Sequence, residues 1–431
     1  MKKFIILSAL MSLFLTSCDE EFLDPTRASE EDVFSSRDGL VGVANGLQSR
    51  FSVGRQSPFG YAIITANGFT TNELGAPQGG NADEVALFAG SGEVLPVNGV
   101  VSNIWAQSLI LNSEAQKVIN NIDRISLPVE KASVLVHASI FKALALGNLI
   151  QFFEKVPIST EKNAVFNSRA EVLAVVIKTL EDTKTSLPSA TGFPGLVGNL
   201  NYTNTVNALL ARFYLMSGSP GDLDKALEHA TLVNLSVRSF FPFDAVNQNS
   251  IAATAFLVAN NYQPVGRTLG LPAALQPVAA DGRINFYISP TSTPSAVRGA
   301  GFWSGVGTSV PVYLPGEMIL IRAEVLARKN LLPQAVVEIN RILQKTAASD
   351  AWGVAANLPA YSGAADQASV LTEIYRNRCI ELFMSGLKLE DTRRFGRPAA
   401  GSAGAERNRN WYPYPDAERF NNPNTPANPL N

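Results

Sequence analysis

The sequence predicts an all-α protein, a tetratricopeptide-like scaffold of helical hairpins carrying loop-rich insertions. Three observations carry that expectation. In "LIRAEVLARKNLLPQAVVEINRIL", Ala323, Leu326, Ala335, Ile339 and Ile342 fall at offsets 0, 3, 12, 16 and 19. Those are the small and apolar signature positions of a tetratricopeptide helix pair, where two antiparallel helices approach closely at their turn. Ala211, Tyr214, Ala226, Ala230 and Val233 repeat the pattern across a turn three residues longer, and two such pairs suggest a solenoid-like scaffold. Residues 52 to 97 and 236 to 311, by contrast, lack a sustained period and are rich in Gly, Pro, Asn, Ser and single aromatics. Such stretches are expected to run as loops over the outside of something rigid.

The N-terminus is expected to be a processing segment. Lys2 and Lys3 precede an apolar run from Phe4 to Leu15, which is too short for the roughly 20 residues that span a bilayer and fits a secretory leader. Leu15-Thr16-Ser17-Cys18 then resembles the lipobox of a bacterial lipoprotein, in which the Cys18 thiol carries a diacylglycerol. The expected division is therefore a leader over 1–17, a lipidated tether over 18–28 containing Asp19, Glu20 and Glu21, and one helical domain over 29–431. Cys379, the other cysteine, lies in an apolar helical pattern and is expected to be a buried free thiol.

Along the domain, Ser29 is placed to cap a helix with Asp32 at N3 and Val33, Leu40, Val43, Ala44 and Leu47 on its apolar face. A helix follows in "NGVVSNIWAQSLILNSEAQKVINNID", and "KASVLVHASIFKALALGNLIQFF" is apolar on nearly every side. A soluble helix of that kind is a central one covered by neighbours, with His137 a core imidazole. "SRAEVLAVVIKTLEDTKTSLP" is a further amphipathic helix, capped by Ser168 and stopped before Pro188. Near the C-terminus, Leu371, Tyr375, Cys379, Leu382 and Phe383 form one apolar face, and Gly386 suits a left-handed C-cap.

Composition narrows the function classes. Removal of residues 1–17 leaves 33 Lys+Arg against 37 Asp+Glu, a formal charge of −4, so no basic surplus argues for nucleic acid. His137 and His229 lie far apart without metal-ligand spacing, and no cofactor motif is present. No Gly-rich phosphate loop, HExxH, CxxC pair or GxSxG elbow argues for an enzyme. Glu381, Asp391, Arg393 and Arg394 are expected to form a structural ion-pair network locking the last helix to the core. A carboxylate followed by arginines lacks the second titratable group that hydrolysis requires.

"LPGEMILIRAEVLARKN", the block "EIYRNRCIELFMSGLKLEDTRRFG" at residues 373–396 and the ending "WYPYPDAERFNNPN" resemble the SusD/RagB family of outer-membrane nutrient-binding lipoproteins. The upstream "HASIFKALALGNLIQFFEKVPIST" is similar to another stretch of that family, and with the lipobox the likeness spans almost the whole chain. Lys142 stands where the family has a basic residue, while Asn72 in "TTNELGAPQ" stands where relatives often have Asp. The resemblance implies a surface-exposed lipoprotein, anchored in the outer membrane through Cys18. It would bind nutrient oligomers and deliver them to a SusC-like TonB-dependent transporter. Glycans are the expected ligand. Oligopeptides, or a periplasmic helical-repeat scaffold outside uptake, are the alternatives. Ligand contacts are expected on the two irregular stretches, at Tyr61, Phe69, Asn72, Asp83, Tyr287 and Trp303. Trp303, among the glycines and serines of "GAGFWSGVG", is the leading candidate as a platform for a sugar ring.

Overall fold

A computed structural model describes residues 29–75, 81–257, 262–293 and 296–430, so the leader and Cys18 lie outside the described residues. Helix formation starts where the capping chemistry predicts. Ser29 and Asp32 make a reciprocal capping box on α1 (Glu30–Ser35). The expected single helix is in fact two, because Ser36 takes an extended conformation and caps α2 (Arg37–Ser52) through Gly39 N. Local hydrogen bonding by a serine side chain wins here over helix continuation.

The segment expected to be the first set of loops is largely helical and buried. A π-helical turn, Pro58–Ile63, runs into α3 (Ile64–Thr70), and every residue from 60 to 71 is buried. "YAIITANGFT" is small or apolar all round, so it has no polar stripe from which a helical period could be read. After β1 (Leu74–Gly75) come α4 (Ala82–Ala89) and α5 (Gly99–Asn120).

The greasy helix is α6 (Pro128–Phe152), and from 132 to 153 only Leu135 and Lys142 escape full burial. Neighbouring helices cover it on all sides. His137 is fully buried on it, with Nδ1 3.3 Å from the Tyr202 hydroxyl, and burial pushes its imidazole down to about 4. The short pair β2 (Lys155–Pro157) and β3 (Phe166–Ser168) then delivers Ser168 as the cap of α7 (Arg169–Glu181), again with a capping box, to Glu171. This helix stops at Glu181, seven residues ahead of Pro188, and the chain turns through to a 3₁₀ segment at Leu187–Ser189.

Both expected hairpins form. α8 (Tyr202–Ser217) ends on Gly218 in the left-handed region and pairs with α9 (Pro220–Leu232). α11 (Pro315–Arg328) pairs with α12 (Leu332–Leu343). Ala211, Ala226, Ala230, Ala323, Ala335, Ile339 and Ile342 are fully buried, as the hairpin pattern demands. Packing runs in succession from α5 through α6, α7, α8, α9 and α11 to α12 and α13 (Gln367–Glu381), which makes the solenoid-like back.

The second irregular stretch threads over this back. It contributes β4 (Phe240–Phe241), a π-helical turn at Ala252–Leu257, β5 (Gln263–Pro264), α10 (Gly282–Tyr287) and β6 (Val310–Pro311). β4 pairs antiparallel with β6, and β1 with β5, so each irregular stretch is tied down by a two-residue ladder. The chain closes through α14 (Lys388–Arg394) and α15 (Asp416–Asn421). Cys379 is a buried free thiol, pushed up to about 12 by burial. Gly386 does adopt a left-handed φ of +79°, but α13 ends five residues earlier, so Gly386 shapes the α13–α14 turn rather than capping the helix.

Candidate functional site

Four of the six proposed contacts lie in the core, contrary to the expectation that loop aromatics would stand free. Trp303 is 1% exposed and stacks on Phe256 at 5.8 Å with rings 2° from parallel. The surrounding glycines serve close packing: a Cβ on Gly299 would lie 2.6 Å from the Trp303 carbonyl oxygen. Tyr287 is fully buried and donates its hydroxyl to the Glu381 carbonyl. With Trp303 it lines a narrow crevice of only about 40 Å³, too small for a sugar. Tyr61 donates to Glu84 and Phe69 packs edge-on against Tyr262, which also meets Tyr61. Asp83 accepts from Gly99 N at 3.0 Å and so helps cap α5, while Asn72 is exposed on a positive φ of +65°.

The acid–arginine set expected to be one network divides into separate groups. Glu381 is fully buried and pairs with Arg283, 3.3 Å away, and with Lys345. It lies against the start of α11, which has no side-chain cap, where a carboxylate complements the helix dipole. Only glycine fits at 316, since a Cβ there would fall 2.0 Å from Glu381 Oε1. Asp391 instead pairs with Arg378 at 2.8 Å and Arg394 at 2.7 Å, and Arg394 also holds Glu324. Burial works to raise Glu324, but Arg394, Arg378 and Arg328 overcome it and hold the carboxyl at about 2. Arg393 pairs with Glu390, which it shares with Arg169. These residues are close in sequence, but their partners come from different elements of the fold, so each pairs separately.

The open site lies beside the β4–β6 ladder. Strand alternation sends Phe241 inward, 1% exposed against Phe51 and Phe59, and leaves Phe240 half-buried at the surface. Phe240 meets the edge of Trp352 at 6.0 Å, and Phe302 meets the same indole at 5.5 Å and Phe286 at 5.1 Å. Arg238 lies over the Trp352 ring at 4.8 Å and donates to the Ala351 carbonyl at 2.6 Å. Thr308 and Ser309 complete a cleft of about 310 Å³. Among the described residues its lining is aromatic faces, two hydroxyls and one guanidinium, with no carboxylate, thiol or imidazole. Aromatic rings and hydrogen-bond donors in that proportion can hold a ring that is apolar on its faces and hydroxylated at its edge.

Buried charge holds this cleft in place. Lys345 joins Glu381 to Asp350, and Asp350 Oδ1 accepts from Trp352 N at 2.8 Å and Val354 N at 3.1 Å. Phe240, Phe286, Phe302 and Arg238 fall within the stretch marked in the sequence as ligand-facing, although other residues were singled out there. Trp352 lies beyond it. The available signal was "SDAWGV", an Asp able to accept backbone N–H groups two and four residues on, holding an aromatic at a loop tip.

No protein-family model matches the chain, and no curated protein matches it in sequence. Solved structures do. A SusD-like carbohydrate binding protein of Bacteroides fragilis aligns with a TM-score of 0.68 at 16% identity, covering 91% of this chain and 99% of its own. The NanU protein of B. fragilis aligns at 0.69 and 13%, covering 94% and 99%. A SusD superfamily protein of Bacteroides vulgatus gives 0.60 and 16%, covering 93% and 99%. At such identities the likeness is one of fold, and it extends over nearly the whole of each chain. The chain has the SusD-like helical fold.

Proposed function

We propose that this chain is a non-enzymatic nutrient-binding lipoprotein that takes glycan oligomers into the Arg238–Phe240–Trp352 cleft. The observation that carries the reading is the cleft itself, an open, aromatic-walled surface without an acid–base pair, on a fold shared with solved proteins described as carbohydrate binding. The sequence features that resemble a lipobox support an anchor at Cys18 in the outer membrane, on its outer surface. The proposal extends to a SusC-like TonB-dependent transporter as the partner that receives the ligand. Tethering would hold the cleft near such a pore at a high effective concentration, so modest affinity per site would suffice.

The test is retardation of the purified protein in gels containing neutral polysaccharides, alongside fluorescence titration with oligosaccharides and with oligopeptides. Retardation or quenching by glycans, abolished in Trp352→Phe/Phe240→Ala, agrees with the reading. Binding confined to peptides would replace glycan by peptide as the ligand. Turnover of any of these ligands would remove the non-enzymatic assignment.

A further inference from the structure

A second cleft, on the helical back, shares no lining residue with the aromatic one. It measures about 370 Å³ and lies between the start of α7, the end of α8, the end of α11, α14 and Trp411. Arg169, Arg328, Arg393 and Arg394 line it against the single carboxylate of Glu390. Arg328 and Arg394 also form a wall of an adjoining cleft of about 240 Å³, where Arg397, itself paired with Glu406 at 2.5 Å, joins them and no acid is among the described lining residues.

Helix ends explain part of this gathering. Arg169 donates to the Ile150 and Met216 carbonyls near the ends of α6 and α8, and Arg393 donates to the carbonyls of Gln151 and Asn410. Arg328 and Arg394 are different. Glu324 takes the Nε of each, the Arg394 carbonyl and Glu324 take Arg328 Nη2, and Glu324 and Asp391 take Arg394 Nη2. Among the described residues, neither Nη1 makes a hydrogen bond. With Arg378, five guanidiniums face Glu390, Glu324 and Asp391, and Asp222 adds one acid at the rim by accepting from Ser217 at 2.5 Å. Positive charge remains in excess. Burial and then the neighbouring Arg169 and Arg407 bring Arg393 down to about 10 in spite of Glu390.

We propose that these joined clefts bind a small organic oxyanion, its carboxylate, sulfate or phosphate group meeting Arg328 and Arg394 and its body lying against Leu215, Met216 and Leu223. Planar guanidiniums match such groups in geometry as well as charge, and the larger cleft has the room for a molecule of monosaccharide size.

The experiment is calorimetric titration of the full chain with glucuronate, glucose 6-phosphate and sulfate at constant ionic strength, with glucose as the neutral control. At least one of the anions should bind saturably, and about tenfold more weakly to Arg328→Gln. Leu223→Glu, at a half-buried rim position, should weaken it similarly by placing a competing carboxylate in the cleft. That variant decides the matter if Arg328→Gln melts early. Trp352→Ala should leave anion binding unchanged, which separates this site from the glycan cleft. Absence of saturable binding by any anion, equal binding by glucose, or unaltered affinity in a folded Leu223→Glu protein would overturn the proposal.

Discussion

Lys345 and Asp350 form a buried ion pair, 2.8 Å from Nζ to Oδ2, with 5% and 1% of their side chains exposed. Through it the charge of the core scaffold reaches the loop that carries Trp352, because Lys345 also holds Glu381 and Asp350 also holds the Trp352 backbone. Trp352 is thereby positioned by a charge pair almost wholly shielded from solvent.

Asp350→Ala leaves Lys345 with one partner and frees the Trp352 loop. Breaking a buried pair in this way costs on the order of 3–5 kcal/mol, so denaturant unfolding should show a loss near the lower end, since Glu381 still compensates Lys345. Glycan affinity should fall in parallel. A stability unchanged by the substitution would mean that the pair contributes nothing net.

Trp303→Ala removes a large buried ring stacked on Phe256. It should destabilise the chain by about 3–5 kcal/mol, the usual cost of deleting a core aromatic. In the folded fraction, glycan affinity should be kept. Lost affinity with intact melting would return Trp303 to the ligand-contact role that its sequence context suggests.

His137 stays neutral when folded, at about 4, against an ordinary 6.5. The unfolded chain therefore takes up a proton first as pH falls, and stability drops between about 6.5 and 4, by roughly 3 kcal/mol in all. Glu73, pushed up to about 7 by burial, acts in the opposite sense, losing stability as pH rises from 4.5 through 7. The difference between wild type and His137→Leu isolates the histidine: its unfolding free energy should fall less steeply below pH 6.5. Parallel acid limbs in the two proteins would contradict a buried neutral imidazole.

The helices that pack on one face were legible in the sequence, and so were their caps. Ser29 and Ser168 marked helix starts, and the Ala–Ile spacing marked the α11–α12 hairpin, because each is a local device. What escaped was structure without a polar stripe, as in residues 58–70, and the difference between a loop aromatic that faces outward and one that plugs the core. Trp303 and Trp352 sit in similar Gly-containing stretches, yet one is 1% exposed and the other half-buried at a cleft. The long-range stacking on Phe256 buries Trp303, whereas Trp352 is held by its near neighbour Asp350 and meets the remote Phe240 and Phe302 at the cleft. The same holds for Glu381, whose partners Arg283 and Lys345 are remote in sequence and unreadable from the block that contains it.

The proposed lipid anchor is motivated by the lipobox-like Leu15-Thr16-Ser17-Cys18. Cys18→Ala should move the protein from the membrane fraction to the soluble exported fraction, read by detergent phase partitioning in cells lacking the partner transporter. Continued partitioning with membranes would mean that something other than a lipid on Cys18 holds it there.

The central claim, that the Arg238–Phe240–Trp352 cleft binds glycan, is tested most directly by calorimetric titration of Trp352→Ala with the best oligosaccharide ligand of the wild type, together with a melting curve. Loss of a stacking platform should weaken binding by roughly 1–3 kcal/mol, about 5- to 150-fold, with melting lowered only slightly. Wild-type affinity in a folded Trp352→Ala protein would contradict the assignment of this cleft.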